Sequence, residues 1–246
     1  MKDRFSDRSA DYAVYRPVYP VELIDFILSV VKSRNACWDV GTGSGQLLAL
    51  LAPHFQQAAG TDSSAKQISF APQLSNVEYR VCRAEDDPQF NRKFDLITVA
   101  QAIHWFKFVP FYELVEKYLE DDGLLVITGY GLITIDPLLD ELIHELYTGI
   151  LGKWWDPERK YIDDGYRSLP FPFAELDCPA FTIQASWNLH HFEGFFRTWS
   201  AYTLYLRDGH PDPIPAWMNK VRLLWPENEV REVRFPVLLR AGRKKR

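Results

Sequence analysis

Cysteine is scarce in this chain, with three residues in 246, and Cys37, Cys82 and Cys178 stand far apart. No disulfide framework or zinc-type ligand spacing can be built from them, so no metal site is expected. Cys37 and Cys82 lie in apolar, strand-like runs and read as buried thiols of a reducing compartment. No apolar stretch approaches the ~18 residues that a membrane-crossing helix needs. The opening "MKDRFSDRSADY" is polar and holds no signal-peptide core. Positive charge is not in excess either, since the formal net charge is −5. That balance disfavours a nucleic-acid partner, which usually meets a basic face. The terminal Arg243-Lys244-Lys245-Arg246 is too short to change this and reads as a solvated end. Internal repeats and low-complexity linkers are missing as well. A soluble cytoplasmic protein without a membrane partner is the expectation, and oligomeric state is not legible.

What the chain does have is apolar and aromatic mass. Hydrophobic residues make up 47% and aromatics 15%, including 8 Trp, 12 Tyr and 16 Phe. They concentrate in the N-terminal arm and after residue 100. Two readings stay open at this level, a large aromatic core or an enclosed small-molecule pocket.

Along the chain, apolar periods of two and of 3.6 residues alternate. "VELIDFILSVVK" keeps apolar residues at 23, 24, 27, 30 and 31, one helical face, with Pro20 at a favoured first position. Strands are expected at 36–40, 57–62, 77–85 and 94–102, and a fifth follows the turn in "DDGLLVITGY". Helices are expected between them, including "AKQISFAPQL", cut by Pro72, and "FVPFYELVEKYLE". The nearly continuous apolar run "FDLITVAQA" marks a central parallel strand. This alternation predicts an α/β fold with a doubly wound, mostly parallel, seven-stranded sheet. Beyond it come a helix ("PLLDELIHELYTGIL"), an aromatic, proline-rich stretch, a strand ("FTIQASWNL"), the helices "FEGFFRTWSAYTLYLR" and "PAWMNKVRLLW", and a last strand. The expected organisation is one domain, 1–246. Within it, 1–19 is a lid, 20–130 a cofactor-binding core, 131–180 an inserted helical and aromatic cap, and 181–246 completes the sheet.

The stretch "DVGTGSG" sits where such sheets bind ligands, at the carboxyl end of a strand. Gly41, Gly43 and Gly45 permit positive φ and close backbone approach. The dinucleotide fingerprint requires a third glycine where Gln46 stands. Asp39, two residues before Gly41, opposes a pyrophosphate and suits a ligand carrying an ammonium group. Asp62 ends the next strand, where an acid can accept from ribose hydroxyls. "RAED" ends the third strand, where the Ala84 N–H and the carboxylate of Glu85 or of Asp86 are candidates for an adenine edge.

On these residues the chain resembles the class I S-adenosylmethionine-dependent methyltransferases over 36–128. "DVGTGSG", "GTD", "RAE" and "FDLITVAQAIHWF" match the motifs of the family. "FSDRSADYAVYRPVYPVEL", "AQAIHWF" and "FRTWSAY" are similar to a small-molecule branch that includes the trans-aconitate methyltransferases. Arg83 departs from it, since many relatives carry Asp there. The resemblance implies a Rossmann-like fold, S-adenosyl-L-methionine as methyl donor and S-adenosyl-L-homocysteine as product. It also implies roles for particular residues. Gly41 to Gly45 would pass under the methionine part, with Asp39 holding its ammonium. Asp62, with Ser63 beside it, would take the ribose. Ala84 and Glu85 would frame the adenine. The Ala100 carbonyl and the Gln101 side chain would face the sulfonium. Tyr12, Tyr15, Arg16 and Tyr19 would form the lid, with Trp105 at the substrate.

The methyl acceptor is then expected to be a small molecule with an oxygen nucleophile, carboxylate or hydroxyl. A carboxylate needs no general base. Otherwise His104 is the first candidate, although a histidine beside aromatics more often packs than titrates. Arg16, Arg159, Arg167 and Arg197 are available to an acidic substrate. His190-His191 reads as a turn rather than a metal site. Two other readings remain, a catalytically silent binding or scaffold protein that keeps the fold, and a methyltransferase acting on RNA or protein.

Overall fold

The computed structural model describes residues 14–245, so Tyr12 lies outside the described residues. Five strands follow the expected alternation. They are β1 (Ala36–Val40), β2 (Gln57–Asp62), β3 (Val77–Val81), β4 (Phe94–Ala100) and β5 (Leu119–Tyr130). They are parallel and ordered β3-β2-β1-β4-β5. Successive side chains of a strand point to opposite faces. Cys37 and Leu96 therefore enter one core, while their neighbours Trp38 and Ile97 enter the other. Both faces are apolar because helices cover both.

One face packs against α1 (Val21–Val30) and α2 (Gln46–Leu51), and the other against α4 (Phe108–Tyr118). Phe111 and Val115 of α4 are fully buried. Side chains of this kind contribute about 1.5–3 kcal/mol each, which fixes which face of α4 turns inward. A shorter helix, α3 (Ala65–Ile68), follows β2.

The chain after β5 closes the sheet. It forms α5 (Pro137–His144), α6 (Lys160–Asp163), β6 (Ala174–Glu175) and β7 (Thr182–Trp187). Then come α7 (Leu189–Arg197), α8 (Ser200–Arg207), α9 (Ile214–Leu224) and the long β8 (Arg231–Arg243). β8 is antiparallel and serves two partners. Its second half pairs with β5 from Val237 to Arg243, and its first half pairs with β7. β6 adds a two-residue rung near the end of β8. The doubly wound, mostly parallel sheet expected from the sequence is present, with β8 as its antiparallel member.

Within residues 131–180, Leu139, Ile143, Leu146 and Leu151 are buried in the same apolar cluster as α7, α8 and α9. The indole of Trp217 on α9 donates to the Leu142 carbonyl at 2.8 Å.

Several local expectations are corrected. The stretch 192–207, expected as one helix, is broken between α7 and α8, because Trp199 adopts an extended backbone and is buried between Phe195, Phe196 and Tyr147. Tertiary burial overrides helix propensity there. His190 and His191 occupy the first turn of α7, not a turn, because Asn188 caps it by accepting from the His191 N–H. Helix α3 ends at Ile68, well before Pro72. β3 stops at Val81, which leaves Cys82 half-buried at an edge strand rather than in the core.

Candidate active site

β1 has β2 on one side and β4 on the other, so chain direction out of the sheet reverses there. A crevice opens at such a point, outside the carboxyl ends of the strands. The glycine turn lies across it. The N–H groups of Gly41 and Thr42 both donate to the Thr61 carbonyl, at 2.8 and 2.9 Å, which folds the turn over the end of β2. The Gly45 N–H closes back on Thr42 at 2.8 Å, and α2 begins.

Gly41 has φ +68°, and a Cβ on it would stand 2.8 Å from Ala102 Cβ and 2.9 Å from Phe106 Cζ. Gly43, at φ +55°, is different. Its Cβ would stand in open space, with Gln67 Oε1 nearest at 3.9 Å. Gly43 therefore leaves bare backbone facing the crevice. Asp62 braces the same turn, since its carboxylate accepts from the Gly43 N–H at 2.9 Å and the Ser64 N–H at 2.8 Å.

The crevice is a cavity of about 1040 Å³, counted to its open mouth. Many of the sequence-chosen residues line it. Gly41, Gly43, Asp62 and Ser63 form the wall over β1 and β2, and Ala84 stands at the end of β3. Ala100, Gln101, Trp105 and Tyr19 form the opposite end.

Others stand behind the lining. Asp39 is fully buried beneath the turn, and its Oδ1 accepts from the Thr98 hydroxyl at 2.6 Å. Its Oδ2 has no hydrogen-bond partner among the described residues. Burial raises the Asp39 carboxyl to about 6, the Thr42 and Thr98 hydroxyls pull the other way, and the Asp62 charge adds to the rise. Gly45 packs on Ala71 and Tyr79 rather than on the cavity. Glu85 accepts from the Lys107 N–H at 3.0 Å, with Arg83 Nε 3.4 Å from its other oxygen. Arg83 thus pairs with Glu85 at the end of β3.

Arg16 donates to the Tyr130 hydroxyl at 3.0 Å and to the Thr198 carbonyl at 3.2 Å. Tyr15 pairs with His190 Nε2 at 3.0 Å and lies against Gly194, where a Cβ would overlap its ring. The described part of the arm is thus docked on α7. His104 is buried behind Trp105 and off the lining. Burial, then the Arg159 charge, lowers it to about 3, so it is a neutral imidazole at neutral pH. Of the arginines, Arg159 donates to the Tyr147 hydroxyl and stacks on Trp155, and Arg197 is held by Glu193 and Asp212. Arg167 turns back to the Asp164 carbonyl.

Gln101 adopts φ +55°, unusual for a non-glycine residue. Its carboxamide accepts from the Tyr130 N–H at 3.2 Å and donates to the Tyr130 carbonyl at 3.1 Å. The side chain thus supplies one more rung to the β4–β5 ladder, while Gln101 also lines the cavity.

Thr42, Gln67, Phe106 and Tyr130 also line the cavity and were not chosen from the sequence. Tyr130 was within reach of the carboxyl-end rule, because it ends β5. Gln67 carried a weaker signal, a polar residue on the inward side of a short helix.

A doubly wound sheet with a glycine turn and a cavity at its switch point is the architecture of nucleoside-cofactor α/β proteins. The comparisons sharpen that class. A methyltransferase domain family model matches residues 38–127. A Dictyostelium discoideum protein named as a methyltransferase is 34% identical, over 98% of this chain and 95% of its own length. A Saccharomyces cerevisiae protein named as an S-adenosylmethionine-dependent methyltransferase is 24% identical, over 87% of each chain. The solved structure of an Anaeromyxobacter dehalogenans protein, described as a type II methyltransferase, superposes with TM-score 0.85 and 34% identity. That match covers 93% of this chain and 98% of the other. The chain belongs to the class I S-adenosylmethionine-dependent methyltransferases. Its cofactor is S-adenosylmethionine, and it transfers a methyl group to an acceptor.

The residues present fit that cofactor on two observations. A carboxylate oxygen is buried with no described partner under the turn, which suits an ammonium group. Bare backbone at Gly43 leaves space that any side chain would fill. Among the described residues no helix is long and apolar enough to cross a membrane, and no group of three His, Cys, Asp or Glu could hold a metal.

Proposed function

We propose that this enzyme methylates a small molecule at an oxygen that arrives already ionised, a carboxylate first of all, as in the trans-aconitate methyltransferase-like branch. The observation that carries this is the end of the cavity beside β4 and β5. There Tyr19, Trp105, Phe106 and Tyr130 close around the space next to Ala100. A pocket lined in this way suits a small acceptor better than a folded protein segment or an RNA helix.

S-adenosylmethionine, when bound, supplies a sulfonium methyl that is a strong electrophile with a neutral leaving group. The chain's own task is to align the acceptor and exclude water, which is catalysis by proximity. Asp39 would hold the ammonium, the turn from Gly41 to Gly45 the methionine part, and Asp62 with Ser63 the ribose. Ala84 would lie along the adenine, with Glu85 and Arg83 behind it. Ala100 would border the reacting centre. Tyr15, Arg16 and Tyr19 would form the described part of the lid, and the segment 131–180 the cap. His104, lowered to about 3, is a weak base and stands off the lining. A base-requiring hydroxyl is therefore the less favoured acceptor.

The test has two stages. Isothermal titration with S-adenosylhomocysteine should give sub-millimolar binding. Methyl-labelled S-adenosylmethionine with pooled carboxylic acids should then give label that alkali releases, the mark of a methyl ester. Alkali-stable label, or label in protein or RNA, would overturn the acceptor assignment.

A further inference from the structure

Strand β3 ends the sheet, and among the described residues no strand pairs with its outer side. Its bonds to β2 show which backbone groups that side carries. The Asn76 carbonyl accepts from the Ala58 N–H at 2.8 Å, and the Cys82 N–H donates to the Asp62 carbonyl at 2.9 Å. In a parallel pair alternate residues bond to the same neighbour, so Glu78 and Arg80 also turn their backbone groups to β2. Val77, Tyr79 and Val81 turn theirs outward. Of these, the Val77 N–H is taken by the Leu74 carbonyl at 3.1 Å.

Such an edge is a template for a further strand, and the order of its residues says which one fits. Residues 77–81 read Val-Glu-Tyr-Arg-Val, with apolar ends and opposite charges on either side of Tyr79. Within one chain Glu78 accepts from Arg80 at 2.9 Å and pairs with Arg92, while Arg80 lies 4.3 Å from the centre of the Phe90 ring. Both charges therefore sit on one face of the strand. Val81, by contrast, is 60% exposed.

We propose that β3 is a dimer edge, to which a second copy of this chain adds its own β3, antiparallel about a two-fold axis at Tyr79. In that register Tyr79 exchanges both backbone hydrogen bonds with the partner's Tyr79. Val81 is covered by the partner's Val77. Glu78 stands opposite the partner's Arg80, and Arg80 opposite the partner's Glu78. Opposed residues of this kind exchange no backbone bonds and have Cα atoms about 4.5 Å apart, so their side chains meet closely. An axis at Glu78 or at Arg80 would instead set like charges face to face, which is unfavourable. Charges on an edge ordinarily keep strands apart. Here their order penalises the neighbouring registers and favours one. Five residues cover little area, so the pairing belongs to the weak, reversible class.

Sedimentation velocity of the full chain at rising concentration tests this. The wild type should form a dimer that weakens as salt is raised. Glu78→Arg and Arg80→Glu should each weaken it about tenfold, because each variant puts two like-charge pairs in place of two opposite ones. An equimolar mixture of the two variants should associate as the wild type does, since every pair across the edge is again opposite in sign. Val81→Pro carries the test should a charge variant not fold. It removes an outward N–H that the β2 ladder does not use, so it should weaken the dimer without lowering the melting temperature. A wild-type chain that stays monomeric up to about 1 mM would overturn the proposal and leave the edge to a strand of another protein. A Val81→Pro chain that dimerises as the wild type does would also overturn it. So would folded charge variants whose mixture associates no better than each alone.

Discussion

Asp39→Asn removes one charge and almost no volume from the floor of the cavity. Asp39 is 1% exposed, and the Thr98 hydroxyl donates to it. Its carboxyl is raised from 3.8 to about 6, first by burial. That rise costs the folded state on the order of 3 kcal/mol at neutral pH. The sign follows from proton counting. Between about pH 4 and 6 the folded protein holds this proton more tightly than the unfolded chain, so stability falls as pH rises through that window and is flat above it. Asparagine has nothing to ionise. Its carbonyl can still accept from Thr98, with the loss of charge assistance, about 1 kcal/mol. The ligand-free variant should therefore match wild type near pH 4 and exceed it by about 1–3 kcal/mol at pH 7.5. For a domain of this size that is roughly 3–10 °C in Tm.

Ligand binding should move the opposite way. If the buried carboxylate meets the ammonium of the cofactor, Asp39→Asn should weaken S-adenosylhomocysteine at least tenfold. It should leave 5′-methylthioadenosine, which lacks the amino-acid part, within twofold. Differential scanning fluorimetry at pH 4.5 and 7.5 and titration calorimetry read the two halves. A variant less stable than wild type at pH 7.5, or one that loses both ligands equally, would refute the reasoning.

His104 should report with the opposite sign. Its folded value of about 3 lies below its ordinary 6.5, so the stability it contributes is whole above pH 6.5 and is lost as pH falls toward 3. The loss is on the order of 5 kcal/mol. His104→Phe should flatten that acid limb in urea denaturation from pH 7 to 4, and an unchanged limb would remove His104 as its source. Gln101→Leu should strand the N–H and carbonyl of Tyr130 and cost about 2–4 kcal/mol. Gln101→Gly loses the same rung but relieves the positive φ, and should be about 1 kcal/mol more stable than the leucine variant in the same assay.

How much of this was legible depends on which force sets each element. β1, β4 and α4 were readable because burial on one or both faces writes its period into the residue string. β8 was read as a strand, but its division between β5 and β7 depends on pairing between segments far apart in the chain, which no local window contains. The break at Trp199 was hidden for the same reason. The residues around it favour helix, and only the cluster that Trp199 enters requires the break. Cys82 looked buried because β3 is apolar in pattern, but edge position, a property of strand order, leaves it half open.

The site divides along the same line. The glycine turn and Asp62 were legible because their backbone demands confine residue type. Gly43 faces open space at φ +55°, and Asp62 ends a strand. Gln101 was chosen for its place after β4, but its bonds to Tyr130 were not foreseen, because a carboxamide matches a cofactor and a strand end equally well on paper. Only the register Ala100↔Thr128, with Tyr130 two residues on, shows that its two bonds replace a backbone rung. That substitution has a consequence for how the site is built. A backbone rung would continue the sheet and carry the chain straight past the cavity. A side-chain rung holds β5 equally well while the chain turns at Gln101 toward Trp105. The same two hydrogen bonds that follow the last β4–β5 pair thus fix Tyr130 and release the segment that walls the cavity.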